Sequence, residues 1–184
     1  MTNYFDFVNK LVAEGKTSGS NQSESMIYYT ELAAQRMKRW KKVRELIPEI
    51  KEFLENNTDK QKWVVLTEAW CGDAAHAWMF FEKMADASPK ISLEWKLRDE
   101  NLELMDQHLT NGGRAIPKLI SYDENGNELF TWGPRPKHIQ EKYWEMRNAE
   151  MDYKEIMLEI QKLYNEDKGE TMQREILELM KNLS

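Results

Sequence analysis

The tetrapeptide at positions 70–73, Trp-Cys-Gly-Asp, contains the only cysteine of the 184-residue sequence. An apolar run from Trp63 to Thr67 precedes it and predicts a buried strand, whereas a helical pattern begins at Asp73. A cysteine at the start of a helix lies near the positive end of the helix dipole, which favours the thiolate. Such a thiolate could serve as a nucleophile or in redox chemistry. Because the sequence has no second cysteine, a thiol from outside the chain would have to complete any reaction of Cys71.

Each residue of this tetrapeptide has more than one interpretation. Cys71 is a candidate nucleophile, but a lone cysteine is also often a small buried apolar side chain. Trp70 could shield the sulfur or form a binding surface, or it could pack at the rim. Gly72 allows a tight turn into the helix. Asp73 can satisfy free N–H groups at the helix start, and its carboxylate would raise the pKa of the Cys71 thiol against the effect of the dipole.

The elements that must position Cys71 alternate between helices and strands. Helical spacing is present in eight segments: 4–14, 25–47, 49–55, 73–87, 99–109, 135–151, 153–164 and 170–183. Strand patterns are present at 63–67, 91–97, 118–122 and 128–132, and an Asn-Gly turn between the last two predicts a hairpin. A right-handed strand-helix-strand crossover makes a parallel pair, and the hairpin adds antiparallel strands. The sequence therefore predicts an α/β protein with a mixed sheet of about four strands. The polar segment 16–25 is a loop, either flexible or packed against the body.

The first junction and the order of elements resemble the thioredoxin superfamily. Residues 68–72, Glu-Ala-Trp-Cys-Gly, are similar to the approach to a thioredoxin active site, and 115–117, Ala-Ile-Pro, is similar to the segment that carries its cis proline. The tetrapeptide and the Gly-Pro-Arg-Pro stretch at 133–136 are most similar to a bacterial thioredoxin-like branch. The resemblance implies a thioredoxin-like core over about 60–151. We expect a single domain over 1–184, with helical extensions at 1–57 and 152–184.

Two positions depart from the superfamily pattern. The second active-site cysteine falls at Ala74, so that no internal disulfide can form. The buried acid of the family falls at Val65, and the nearest carboxylate, Glu68, need not reach the sulfur. His76 lies about 140° around the helix from Cys71 and is not well placed as a base for the thiol.

The resemblance implies two functions. In the first, Cys71 exchanges with a disulfide of a protein or with a low-molecular-weight thiol, and an external thiol resolves the mixed disulfide. Substrate contacts would come from Trp70, Gly72, Asp73, Ile116 and Pro117, with Ile116 pairing with an extended peptide beside a cis bond to Pro117. In the second, the protein is a redox-inactive binding or scaffold module, and the helical extensions offer a partner or homodimer face. A glutaredoxin-like protein that holds an iron–sulfur cluster is disfavoured. That family usually has a lysine just before the cysteine and a Gly-Gly pair after the proline, and both are missing here.

Composition and charge limit the remaining classes of function. The formal net charge is −6, which gives no general attraction to nucleic acid or to an anionic membrane. The basic segment 36–44 could contact a polyanion, or it could be a solvated helix face that pairs with acidic residues. No apolar stretch approaches the roughly 20 residues of a membrane span. No His or Cys cluster has metal-ligand spacing. We therefore expect no metal, no cofactor and, from the lone cysteine, a cytoplasmic location.

Overall fold

The computed structural model describes residues 3–43 and 45–183 and contains eight helices and four strands within them. The helices are α1 Tyr4–Ala13, α2 Glu24–Val43, α3 Pro48–Glu55, α4 Gly72–Ala87, α5 Leu102–Asp106, α6 Lys137–Asn148, α7 Tyr153–Asp167 and α8 Glu170–Lys181. The strands are β1 Gln61–Thr67, β2 Ile91–Leu97, β3 Lys118–Tyr122 and β4 Glu128–Trp132. Among the described residues, no helix has both the length and the apolar character that crossing a membrane would require.

The four strands form one mixed sheet with the order β2-β1-β3-β4. Strand β1 is parallel to β2 and antiparallel to β3, and β4 is antiparallel to β3. At the centre of β1, Val65 lies opposite Trp95 on one side and Leu119 on the other. The predicted α/β architecture, a four-stranded mixed sheet flanked by helices, is confirmed. This topology places the carboxyl end of β1, and with it the start of α4, at the edge of the sheet where Cys71 lies.

Helix α4 lies between the sheet and the N-terminal helices, and most of its residues are buried. Toward the sheet, the Phe81 ring meets the Trp132 ring edge to face at 5.7 Å. Toward α2, the Phe80 ring lies 5.9 Å from the ring of Trp40. Because α4 is enclosed on both sides, its first turn and Cys71 have little freedom to move relative to the sheet.

Several helices are shorter than their sequence patterns, and α6, predicted over 135–151, extends only from Lys137 to Asn148. Helix α2 ends at Val43, and Ile47 is extended because the following Pro48 disfavours the α conformation. The segment 99–109 is not one helix, since a 3₁₀ turn at Arg98–Glu100 precedes the short α5. Asp99, where the predicted helix would begin, lies inside the 3₁₀ turn, and its N–H donates to the Glu68 carboxylate at 3.0 Å.

The loop before α2 packs against the body. The Ser18 hydroxyl donates to the buried carboxylate of Glu68 and accepts from the Ala69 N–H at 2.8 Å. The hydroxyls of Thr17 and Thr30 form a buried hydrogen bond of 2.6 Å. Burial raises the pKa of Glu68, whose oxygens also accept from the backbone of the 3₁₀ turn. Of the two interpretations of this loop, the packed one is therefore correct, and Glu68 holds the loop in place.

Candidate functional site

Cys71 is the N-cap residue of α4 and has an extended backbone. Its sulfur accepts a hydrogen bond from the Ala74 N–H at 3.4 Å, and its thiol donates to the Ile116 carbonyl oxygen at 3.4 Å. The Ile116–Pro117 peptide bond is cis. Only 5% of Cys71 is exposed. The fold therefore brings the sulfur of the first junction and the backbone of the Ile-Pro segment into direct contact, 45 residues apart in sequence.

The surroundings of Cys71 disfavour its thiolate. Burial raises the pKa of the thiol to about 12, and the carboxylate of Asp73 contributes in the same direction. The Ala74 N–H and the charge of Arg135 oppose this shift without cancelling it. The expectation that the helix start favours ionisation is therefore not met, because desolvation outweighs the local dipole. At neutral pH the sulfur carries its proton and donates it to a carbonyl.

Asp73 lies in the first turn of α4 but does not act as a cap. Its carboxylate accepts a hydrogen bond from Arg135 Nε to Oδ1 at 2.9 Å and forms an ion pair with the same guanidinium, Nη2 to Oδ2, at 2.6 Å. The Tyr164 hydroxyl donates to the same carboxylate at 2.9 Å. The capping interpretation of Asp73 is therefore wrong, since the sulfur of Cys71 accepts the free N–H of the helix instead.

Arg135 is held on three sides. Burial alone would lower its pKa, but the neighbouring Asp73 carboxylate leaves it raised. The guanidinium also donates to Gln140 at 3.1 Å and lies over the Tyr143 ring at 4.3 Å. Its loop begins at Gly133, where φ is +114° and a Cβ atom would collide with the Pro117 carbonyl. The 133–136 segment thus packs on the Ile-Pro segment, a contact that no local sequence pattern predicts.

A cavity of about 670 Å³ opens in front of Cys71. Of the residues predicted from the sequence, Trp70, Cys71, Gly72, Asp73 and Ile116 line it. Pro117 is buried and, among the residues that the structure describes, does not line the cavity. We call the start of α4 and the 115–117 segment the inner wall of the cavity. We call the parts of α2, α6 and α7 that face it the outer wall.

Gly72 makes room for a side chain of the outer wall. It does not have a left-handed φ, so the tight turn expected there is not the reason for glycine. Instead, a Cβ at this position would lie 2.7 Å from Nη1 of Arg36, on α2. Arg36 belongs to the basic segment at 36–44, whose last residue is outside the described part of the chain. One member of that segment therefore enters the cavity.

His76 joins α4 to both outer helices. Its ring stacks on the Tyr164 ring of α7 at 4.1 Å with an interplanar angle of 11°, and it meets Trp40 of α2 edge to face at 5.4 Å. Its Nε2 is 3.2 Å from the side-chain oxygen of Gln161. Burial lowers the pKa of His76 to about 3, so the ring is neutral at physiological pH. His76 is a packing residue of the cavity wall and forms no hydrogen bond to the thiol.

Trp70 has contacts on two sides. Its ring packs on the small apolar cluster that contains Cys71 and Ile116, and the Arg98 guanidinium lies over it at 5.2 Å. It also lines the cavity.

Within residues 3–43 and 45–183, no group of three or more His, Cys, Asp or Glu side chains could hold a metal ion.

Comparisons with known proteins support the fold described above. A family model described as thioredoxin matches residues 19–152. No curated protein matches the sequence. The crystal structure of a protein of unknown function from Pseudomonas aeruginosa superposes with a TM-score of 0.64 and 17% identity, covering 100% of both chains. An HIV epitope-scaffold superposes with a TM-score of 0.62 and 15% identity, covering 95% of this chain and 97% of its own. At these identities the two structures support the thioredoxin-like fold and carry no argument about activity.

Proposed function

Because this chain belongs to the thioredoxin family, we propose that it is a thioredoxin-fold binding protein whose cavity holds a small ligand beside an un-ionised Cys71. The observation that carries this proposal is the position of the sulfur. It lies on the wall of a cavity of about 670 Å³, hydrogen-bonded to Ile116 and faced by helices α2, α6 and α7. Cavities of a few hundred to about 1,000 Å³ are the size that small-molecule ligands occupy.

The protonation state of Cys71 favours binding over turnover. Because burial raises the pKa of the thiol to about 12, Cys71 is almost entirely protonated at pH 7. A free cysteine, with a pKa near 8.5, would be a few per cent ionised at the same pH. Ala74 also stands where a resolving cysteine would be needed. The resting protein is therefore poorly suited to attack a disulfide, whereas its cavity is already formed.

Alkylation of Cys71 by iodoacetamide as a function of pH tests this proposal. We expect slow labelling at pH 7.5, with the rate still rising above pH 10, and fast labelling of the urea-unfolded chain at the same pH. The Cys71→Ser variant measures the background labelling at residues other than cysteine. A rate that reaches its plateau near neutral pH would show a reactive thiolate and overturn the proposal.

Monothiol exchange is the second candidate, and one observation favours it. The Ile116 carbonyl oxygen lies 3.4 Å from the Cys71 sulfur, so a disulfide-bearing strand that paired with this backbone would lie beside the thiol. In this reaction the Cys71 thiolate would attack one sulfur of a protein disulfide or a low-molecular-weight disulfide, and the other sulfur would leave as a thiolate. An external thiolate would then attack the mixed disulfide, form a new disulfide with the substrate sulfur and release Cys71 as a thiolate.

Trapping distinguishes the two candidates. If exchange occurs, lysate prepared without reductant should contain mixed disulfides with the wild-type protein and none with Cys71→Ser. Pro117→Thr should weaken the docking of such substrates while leaving the thiol in place. If no Cys71-dependent adduct forms, exchange loses its support and the binding function remains.

A lone free thiol also suits a reducing compartment, and on this basis we propose a cytoplasmic location.

A further inference from the structure

We infer that the cavity binds a small monocarboxylic acid with an apolar or aromatic body, and that Arg36 receives its carboxylate. This inference rests on the proposed ligand-binding function and names the class of ligand. It is carried by the distribution of charge around the cavity and by the side chains at its mouth.

The charges that line the cavity are mostly positive. Four arginines and one carboxylate are among its lining residues. Three of these arginines have acidic partners: Arg98 with Asp99, Arg114 with Asp106, and Arg135 with Asp73. In a chain with a net charge of −6, this local excess of positive charge marks the cavity as a site for an anion.

Arg36 is the arginine left without a partner. Across residues 3–43 and 45–183, its guanidinium makes no hydrogen bond and no ion pair, although burial is sufficient to lower its pKa. The nearby Asp73 does not neutralise it, because that carboxylate already accepts from Arg135 and Tyr164. Partly buried charges are normally paired, since desolvation without a counter-charge is costly. A ligand anion would supply the missing partner.

The geometry favours a carboxylate over a phosphate. A single guanidinium offers two parallel N–H donors, which match the two oxygens of one carboxylate. The negative charge of Asp73 contributes to the electrostatics of Arg36 and would oppose a second negative charge on the same ligand. A monoanion is therefore the better fit.

The mouth of the cavity provides the contact for an apolar body. Three aromatic residues of the outer wall line the cavity and remain substantially exposed: Tyr29 at 46%, Trp144 at 37% and Tyr153 at 53%. Large exposed aromatic side chains that converge on one opening offer flat apolar surface against which a ring or chain can pack. A ligand with its acid group at Arg36 would bury these surfaces.

The test uses a panel of phenyl and alkyl monocarboxylates of about three to ten carbons, each paired with its neutral amide. Binding to the full chain is followed by the fluorescence of the tryptophans, because Trp70 and Trp144 line the cavity. We expect at least one acid to bind, with its amide at least about tenfold weaker. Arg36→Gln should abolish the preference for the acid over its amide. Arg36→Lys should retain part of it, because lysine keeps the positive charge but lacks the two parallel N–H donors of a guanidinium.

Arg174→Gln is the matched control, because Arg174 forms an exposed ion pair with Glu49 and does not line the cavity. It should leave the preference for acids unchanged, and circular dichroism should show all variants folded. If acids and amides bind alike, or Arg36→Gln keeps the preference, the carboxylate inference is wrong while the binding function stands. If phenyl phosphate binds more tightly than every acid through Arg36, the class of anion is wrong. If nothing in the panel binds, acid or amide, both proposals fail together.

Discussion

The inner and outer walls of the cavity differ in how their polar groups are satisfied. On the inner wall, the thiol of Cys71 and the carbonyl of Ile116 bond to each other, and the Ala74 N–H bonds to the sulfur. On the outer wall, Tyr164 reaches across to a carboxylate of the inner wall, whereas Arg36 has no partner among the described residues. Core elements therefore determine where the sulfur lies and bury it among their own side chains, whereas the added helices determine the charge in front of it.

Breaking the ion pair that joins the walls should have the largest effect. Arg135→Met leaves Asp73 without its bidentate partner in a place where the two side chains are only 13% and 15% exposed. Removing one member of a buried pair costs about 3 kcal/mol or more, because the remaining charge stays desolvated. Urea unfolding should show this loss. Arg174→Met, which breaks a pair with side chains 54% and 52% exposed, should cost much less, because solvent screens exposed ion pairs. Equal losses of unfolding free energy in the two variants would show that the Arg135–Asp73 pair is no more important for stability than an exposed pair.

Acid should weaken the contact of α4 with the outer wall through His76. Its pKa is lowered from 6.5 to about 3 in the folded protein, so between these values the unfolded chain binds more protons and stability falls as the pH falls. Each pH unit in this window costs about 1.4 kcal/mol from this group. His76→Phe keeps a ring against Tyr164 and removes the titration. We expect the unfolding free energy of wild type, minus that of the variant, to decrease by about 2–3 kcal/mol from pH 6.5 to 4.5. A difference independent of pH would refute the assignment.

A smaller loss should follow removal of one hydrogen bond between the walls. Tyr164→Phe keeps the stacking on His76 but removes the donor to the Asp73 carboxylate. Hydrogen bonds to charged groups contribute about 1.5–3 kcal/mol, and here the ion pair with Arg135 remains, so we expect a loss near the lower value. Tyr153→Phe, at an exposed position of the same helix, is the control and should change the unfolding free energy by less than about 0.5 kcal/mol.

The smallest effect is expected on the inner wall itself. Cys71→Ser replaces one small donor by another, and the hydroxyl can donate to the Ile116 carbonyl as the thiol does. We expect a change in unfolding free energy below about 1 kcal/mol. A loss above about 2 kcal/mol in the same urea titration would instead indicate that the sulfur is a tightly packed structural group.

Much of the fold was predictable because its signals are local. Alternation and β-branched content marked all four strands, and the Asn-Gly turn marked the hairpin of β3 and β4. The helix predicted for 99–109 was too long, because the N–H of Asp99 bonds to Glu68, about thirty residues earlier, a contact that no local pattern encodes. The same limit applies to Asp73, whose partners Arg135 and Tyr164 come from elements 62 and 91 residues away.

By itself, the sequence determined the mixed α/β sheet, the placement of the lone sulfur at a strand-to-helix junction, and the absence of a second cysteine to oxidise it. Each of these depends on residue type and short-range periodicity. Only the tertiary structure decided that this sulfur is buried and un-ionised, that Gly72 makes room for Arg36, and that α2 and α7 enclose a cavity in front of it. Those properties depend on desolvation and on charges brought together from distant segments, which are set by packing and not by neighbours in the chain.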